Sequence, residues 1–298
     1  MHMVVKKSLG SIVFDIINHI FMVFLMFITI YPLLYVLFAS ISDPKLLMGH
    51  TGFLWKPLGT PTLEGYKLTL KNPNVLIGYR NTIFYVVVGT SIQLLMTSLG
   101  AYVVTRKNFL LKKPLLIFIT ITMFFSGGLI PTFTLIQALH MYNTVWAILL
   151  PGAISSWNLI IMKTFFQGIP AGLEESAMID GANDWQVFSK IIIPLSKPVI
   201  AVMVLYYGVG QWNSWFQPMI YLRDRSKFPL QLFLREILML NANATGKLPT
   251  VSAMVTQSFY KELLQYCVVL VATVPILCVY PFLQKYFVKG VMVGAIKG

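Results

Sequence analysis

The side chains able to do chemistry fall into two groups, and neither makes an enzyme site. Glu174 and Glu175 are adjacent, so on a helix they diverge by about 100° and cannot face each other as acid and base. His2, His19, His50 and His140 are dispersed, and no Cys/His spacing suits a metal. Cys267 and Cys278 share one apolar segment, at a separation of roughly 16 Å along a helix, beyond disulfide reach. A phosphate-cradling loop of the form G-x-x-x-x-G-K-[ST] is absent. The chain is therefore expected to be non-catalytic, with no metal site and no cofactor of its own.

The second group is polar and lies inside apolar sequence. Gln93, Asn158, Gln211, Trp212, Asn213 and Trp215 interrupt long hydrophobic runs. An unsatisfied polar group in hydrocarbon is costly, so such residues are candidates for a solute pathway. Amides and aromatic faces suit sugar hydroxyls and sugar rings. They also serve as interhelical hydrogen bonds and interfacial anchors, and both readings stand.

The elements that must position these groups are membrane spans. Hydrophobic residues make up 57% of the chain and charged residues 11%, with mean hydropathy +0.74, far from the composition of a soluble domain. A bilayer core takes about 20 apolar residues as helix. Segments near 18–40, 80–105, 114–138, 144–165, 195–222 and 264–287 qualify, which predicts an all-α polytopic membrane protein with six transmembrane helices. Pro32, Pro131, Pro151, Pro198 and Pro275 fall in or near these segments, and bends are expected there. Gly127, Gly128, Gly208 and Gly210 are expected to permit close helix crossing or bending during gating, with close packing the favoured role.

Charge sets orientation. Arg106, Lys107, Lys112 and Lys113 crowd one short loop, and Lys285, Lys289 and Lys297 lie in the tail. Placing these with Lys6 and Lys7 on the inner side puts both termini in the cytoplasm. The apolar run that follows Lys6 and Lys7 is too long for a cleaved signal and reads as an uncleaved first span. Residues 1–17 either form an amphipathic helix on the inner leaflet or fray; residues 18–298 form the transmembrane domain. The net charge of +13 is scattered through loops and builds no basic face for nucleic acid. Basic residues outnumber acidic ones in the outer loops near 41–79 and 223–263, a pattern suited to an anionic solute or to docking a partner.

Residues 168–197 are the least apolar stretch on the inner side, and they read as two short helices. Pro170 suits a helix start, Glu174 and Glu175 complement its dipole, and Gly181 suits a left-handed stop. Asn183 and Gln186 have capping-box spacing, and Pro194 disfavours continuation past Ile193. The result is a helix-turn-helix elbow rooted in spans at both ends, shaped to enter a groove on a partner.

This stretch resembles the E-A-A loop of ABC importer permeases: E-A-A, three residues, G, nine residues, I-x-L-P. Glu175, Ser176 and Ala177 are followed by Met178, Ile179, Asp180 and Gly181, then nine residues, then Ile191, Ile192, Ile193 and Pro194. Ser176 stands in place of Ala and Ile193 in place of Leu. The likeness extends over nearly the whole chain and is greatest to maltose-type sugar permeases, in particular a complex-oligosaccharide subgroup. It is carried by F-F-S-G-G-L-I-P-T at 124–132, W-N at Trp157 and Asn158, Q-W-N-S-W-F at 211–216 and F-P-L-Q-L-F-L-R at 228–235. The resemblance implies a type I ABC importer transmembrane domain in the bacterial cytoplasmic membrane. It also implies a second permease subunit, two ATPase subunits that bind ATP and Mg, and an extracytoplasmic sugar-binding protein. Glu175, Ala177, Asp180 and Gly181 would then belong to the ATPase-coupling contact. The alternative, an ion-coupled secondary transporter, requires carboxylates within the membrane, and Asp15 is the acidic residue nearest any span core.

Overall fold

The computed structural model describes residues 9–106, 108–243, 260, 262–279 and 281. The described residues are helical and loop, in two compact units: residues 1–71 with 238–271, and residues 72–237 with 272–298.

In the first unit, the helix Leu9–Ser40 is 32 residues long and runs through Pro32 without interruption. The 18-residue window that qualifies it as a span buries none of its residues. A helix that is apolar all round and uncovered by its own chain must face lipid or another subunit. Its far end is covered: Ala39, Leu47, Leu54, Leu263 and Cys267 form a small core, and Ser40 bonds Tyr66 OH at 2.7 Å. Cys267 is buried in this core, as suits a packing residue. Residues 9–17 continue directly into this helix, whereas residues 1–8 of the expected amphipathic start lie outside the described residues.

The second unit is organised around the helix Pro73–Thr105, 33 residues with one wide turn at Tyr85–Gly89. Two cores flank it. Tyr85 packs with Ile136, Leu149, Tyr221 and Phe233, while Ala101 and Tyr102 pack with Met162, Phe166, Val187, Phe188 and Met203.

Among the described residues, three helices are long and apolar enough to cross a membrane, Leu9–Ser40, Pro73–Thr105 and Glu262–Val279, and five spans result if each of two sharply bent pairs counts as one. The segment expected at 114–138 divides into Lys112–Phe124 and Leu129–Ala138, which turn by 119°. The turn is made at Gly128, whose φ is +85°, and not at Pro131, which sits in the first turn after it. That position costs proline no hydrogen bond. Neither Gly127 nor Gly128 has a neighbour within 4 Å of a notional Cβ, so they serve the reversal and not close packing. Around Gly208 the nearest such atom is 3.9 Å away, and around Gly210 there is none within 4 Å. The segment expected at 144–165 is broken at Pro151 into Trp146–Leu149 and Ser156–Gln167.

Candidate functional site

The elbow folds by local chemistry. Its first helix, Ala171–Ile179, ends at Gly181 with φ +84°. Ala182 N–H donates to Ala177 O at 2.9 Å, and Gly181 N–H to Met178 O at 3.1 Å. This paired closure needs a left-handed residue at its centre. Asn183 then caps the second helix: Gln186 N–H donates to Asn183 Oδ1, and Asn183 N–H to Gln186 Oε1, both at 2.9 Å. Ser176, the departure from the family pattern, donates its hydroxyl to Gly172 O at 2.7 Å and so adds no unmet polar group.

The second helix does not stop at Ile193. It runs from Asp184 to Leu195 through a wide turn at Phe188–Ile192, and the chain bends by 81° only at Ser196. Ile193 N–H reaches back to Phe188 O. The widened turn opens the backbone where the Pro194 ring would otherwise strike the preceding carbonyl.

The two arms are unequal. Val187, Phe188 and Ile192 of the second are buried among Ala101, Met162 and Phe166. The first arm has no buried residue, and Leu173, Met178, Ile179 and, beyond the turn, Trp185 are exposed. Ile179 is 86% exposed. Of the predicted coupling residues, Glu175, Asp180 and Gly181 face solvent, while Ala177 is half-buried against the core beneath.

One tie across the elbow was not read from sequence. Arg106, where the long helix ends, holds Glu174 with Nη1–Oε2 at 2.6 Å and Nη2–Oε1 at 2.8 Å. Burial opposes its charge, but the bonds it donates to Glu174 and the charges around it together outweigh burial, and the guanidinium pKa lies above its ordinary value. Arg106 was visible only as part of a basic run, and Glu174 only as a helix-dipole charge. Nothing in their spacing joins residues 106 and 174.

The solute-pathway candidates separate by burial. Gln93, Asn158 and Gln211 are buried. Gln93 Nε2 donates to Gly152 O at 2.9 Å, and the Gln211 amide lies against Gly89, where a Cβ would come within 2.9 Å of it. Trp212 Nε1 donates to Ala272 O at 3.0 Å. Asn213 is exposed and Trp215 half-buried. Arg235 lies over the Trp215 ring, 3.4 Å from Cζ to centroid. Arg235 ends the F-P-L-Q-L-F-L-R motif in sequence, and its stacking partner is set by the fold.

Long apolar helices and a two-helix elbow rooted in them, among the described residues, are the features of a membrane permease component. The family of binding-protein-dependent transport system inner membrane components matches residues 96–216, a stretch that includes the elbow. The chain is 40% identical to "Protein LplC" of Bacillus subtilis (strain 168) over 286 residues, 96% of this chain and 95% of that protein. It is 36% identical to the "Polygalacturonan/rhamnogalacturonan transport system permease protein YtcP" of the same organism over 285 residues, 96% of this chain and 98% of that one. A solved bacterial ABC transporter "involved in the import of the acidic polysaccharide alginate" superposes with a TM-score of 0.86 at 29% identity, covering 95% of this chain and 99% of that chain.

The chain belongs to this family: it is an inner-membrane component of a binding-protein-dependent ABC importer. The ion-coupled alternative is not favoured.

Proposed function

We propose that this chain is one of two permease subunits of an ATP-driven importer of acidic oligosaccharides, coupled to a separate ATPase through the elbow. The observation that carries the coupling is the elbow itself: a rigidly closed turn presents an exposed apolar arm, while its partner arm is anchored in the core. Apolar side chains held out on a short helix suit a groove on a partner protein. Glu175, Ala177, Asp180 and Gly181 make or shape that contact.

In this reading the elbow and both termini are cytoplasmic, and six spans cross the membrane. Each sharply bent pair contributes one span, and the broken segment near 144–165 contributes the sixth. ATP and Mg are bound by the partner ATPase. An external binding protein delivers the sugar, and elbow movement switches access from one side to the other.

The acidic substrate class rests on the exposed Asn213, the Trp215 surface and the Arg235 guanidinium, together with the excess of basic residues in the outer loops. The two relatives that carry acidic polysaccharides in their names point the same way.

The test has two arms. Cysteine placed at Ile179 in the assembled complex is expected to cross-link to the ATPase, and its failure to do so removes the docking contact. In proteoliposomes with the binding protein, a galacturonate tetrasaccharide is expected to be taken up in preference to maltotetraose. The reverse preference overturns the acidic class while leaving the coupling reading intact.

A further inference from the structure

We propose that Arg106 is a positioning residue that, with Tyr102 beneath it, locks the two arms of the elbow onto the end of the helix Pro73–Thr105, so that this helix carries elbow movement into the bundle. The inference rests on the elbow being the ATPase contact.

The helix ends at Arg106, with φ −60° and ψ 137°, and its side chain reaches the first arm of the elbow. The pair with Glu174 is two-pronged, and only 20% of the Arg106 side chain and 17% of the Glu174 side chain are exposed. Two parallel bonds fix angle as well as distance. One turn earlier, Tyr102 places its ring 4.1 Å beneath the guanidinium carbon. The same tyrosine donates its hydroxyl to Asp184 O at 3.1 Å. Glu174 lies in the first turn of the first arm, and Asp184 opens the second. One helix end therefore grips both arms, on opposite sides of the turn at Gly181.

The covalent routes out of the elbow are poorly suited to passing force. The second arm meets an 81° break at Ser196, and the first is reached through the non-helical residues 168–170. The helix Pro73–Thr105 has 33 residues, which corresponds to roughly 50 Å of rod. Further along, at and just before its wide turn, it is bonded to a second segment. Tyr85 OH donates to Lys227 O at 2.9 Å, and Asn81 Nδ2 donates to Ser226 O at 2.7 Å and Phe228 O at 2.9 Å. A push on the elbow is thus delivered, through Arg106, to the loop near 222–229 that precedes Arg235. An exposed ion pair would contribute little, whereas this one is mostly buried, forked and stacked.

The experiment uses the assembled transporter in lipid with spin labels at Ile179 and Leu76, both exposed. The Ile179–Leu76 distance is measured without nucleotide and after trapping with ATP and vanadate. In the wild type the distance is expected to stay the same in both states, because elbow and helix move as one body. In Arg106→Glu and in Glu174→Arg it is expected to shift by about 2 Å or more between states, the scale of helix displacements in switching proteins.

Stimulation of ATP hydrolysis by the binding protein, supplied with both galacturonate tetrasaccharide and maltotetraose, is expected to fall about tenfold in each single variant, within the usual range of coupling between sites. Basal hydrolysis and the Ile179 cross-link are expected to persist. The Arg106→Glu/Glu174→Arg exchange is expected to restore both readouts. If the single reversals fail to assemble, Arg106→Lys, which keeps the charge and loses the fork, is expected to show a smaller shift in the same distance. An invariant distance and undiminished stimulation in the variants, or a loss that the exchange does not restore, overturns the inference. A wild-type chain whose Ile179 never reaches the ATPase overturns the docking reading beneath it.

Discussion

The guanidinium of Arg235 stacks on the indole of Trp215 at 3.4 Å from carbon to ring centroid, and no carboxylate among the described residues pairs with it. Glu236, its neighbour, is taken by Arg225 at 2.7 Å. Held flat, a guanidinium keeps its outward N–H groups free for a planar acceptor such as a uronate carboxylate. Arg235→Ala is expected to raise the half-saturating concentration of galacturonate tetrasaccharide about tenfold, as loss of one charge-assisted hydrogen bond implies. Uptake of maltotetraose, where any exists, is expected to be unchanged. Uptake kinetics in proteoliposomes decide it.

Gly181 has φ +84° and nothing within 4 Å of a notional Cβ. Alanine there meets no clash, only backbone strain, so Gly181→Ala is expected to cost about 1–2 kcal/mol in the elbow. Gly181→Asn is expected to cost less, because asparagine tolerates this conformation. Gly181→Pro is expected to do more damage than either, since it fixes φ near −65° and removes the N–H that donates to Met178 O. ATPase retention during purification of the complex should fall in the order Gly181→Asn, Gly181→Ala, Gly181→Pro.

The reciprocal cap offers a milder test. Asn183→Ala removes one of the two bonds with Gln186 and leaves Gln186 N–H without its acceptor, a loss of about 0.5–2 kcal/mol. Thermal unfolding of the detergent-solubilised complex should report a modest decrease. Limited proteolysis should show earlier cleavage between residues 180 and 187.

Two glycines that look alike in sequence are expected to differ. A Cβ at Gly78 would sit 2.8 Å from Leu230 Cα and 3.0 Å from Phe233 Cδ2, where backbone cannot yield cheaply. Gly78→Ala should therefore destabilise the protein by about 1–3 kcal/mol. Gly127→Ala meets nothing within 4 Å and should stay within about 0.5 kcal/mol of wild type. Melting curves of the two variants side by side check both.

Tyr207 OH and Thr97 Oγ1 lie 2.6 Å apart in the buried interior, and Ser155 N–H also donates to that phenol at 3.4 Å. Tyr207→Phe leaves the Thr97 hydroxyl unmet and is expected to cost about 1–3 kcal/mol. The companion change Thr97→Val is expected to recover part of that loss, because both polar ends are then gone. The two single variants and the double, compared by thermal unfolding, measure the coupling.

Local chemistry was legible from residues alone. Gly181 had to be left-handed if a helix stopped there, and Asn183 with Gln186 had to close a box, because each depends on a few consecutive residues. The apolar runs likewise dictated long helices, since backbone groups have no other partners in lipid. Their continuity was not legible. Hydropathy sums over a window and does not record direction, so the 119° reversal at Gly128 and the break at Pro151 look the same as straight spans.

What only the tertiary structure decided is which distant residues meet. Pro194 failed to stop its helix because a wide turn, packed on Ala101 and Met162, made room for the ring. Gln93 and Gln211 are turned inwards and Asn213 outwards by helix rotation, which a polar residue in an apolar run does not announce. Arg106 and Glu174 are separated by 68 positions, and a charge pair across that distance follows from packing alone. Sequence specified the parts because their interactions are short-ranged along the chain. The fold alone specified how force and solute would pass through them, because those interactions are short-ranged only in space.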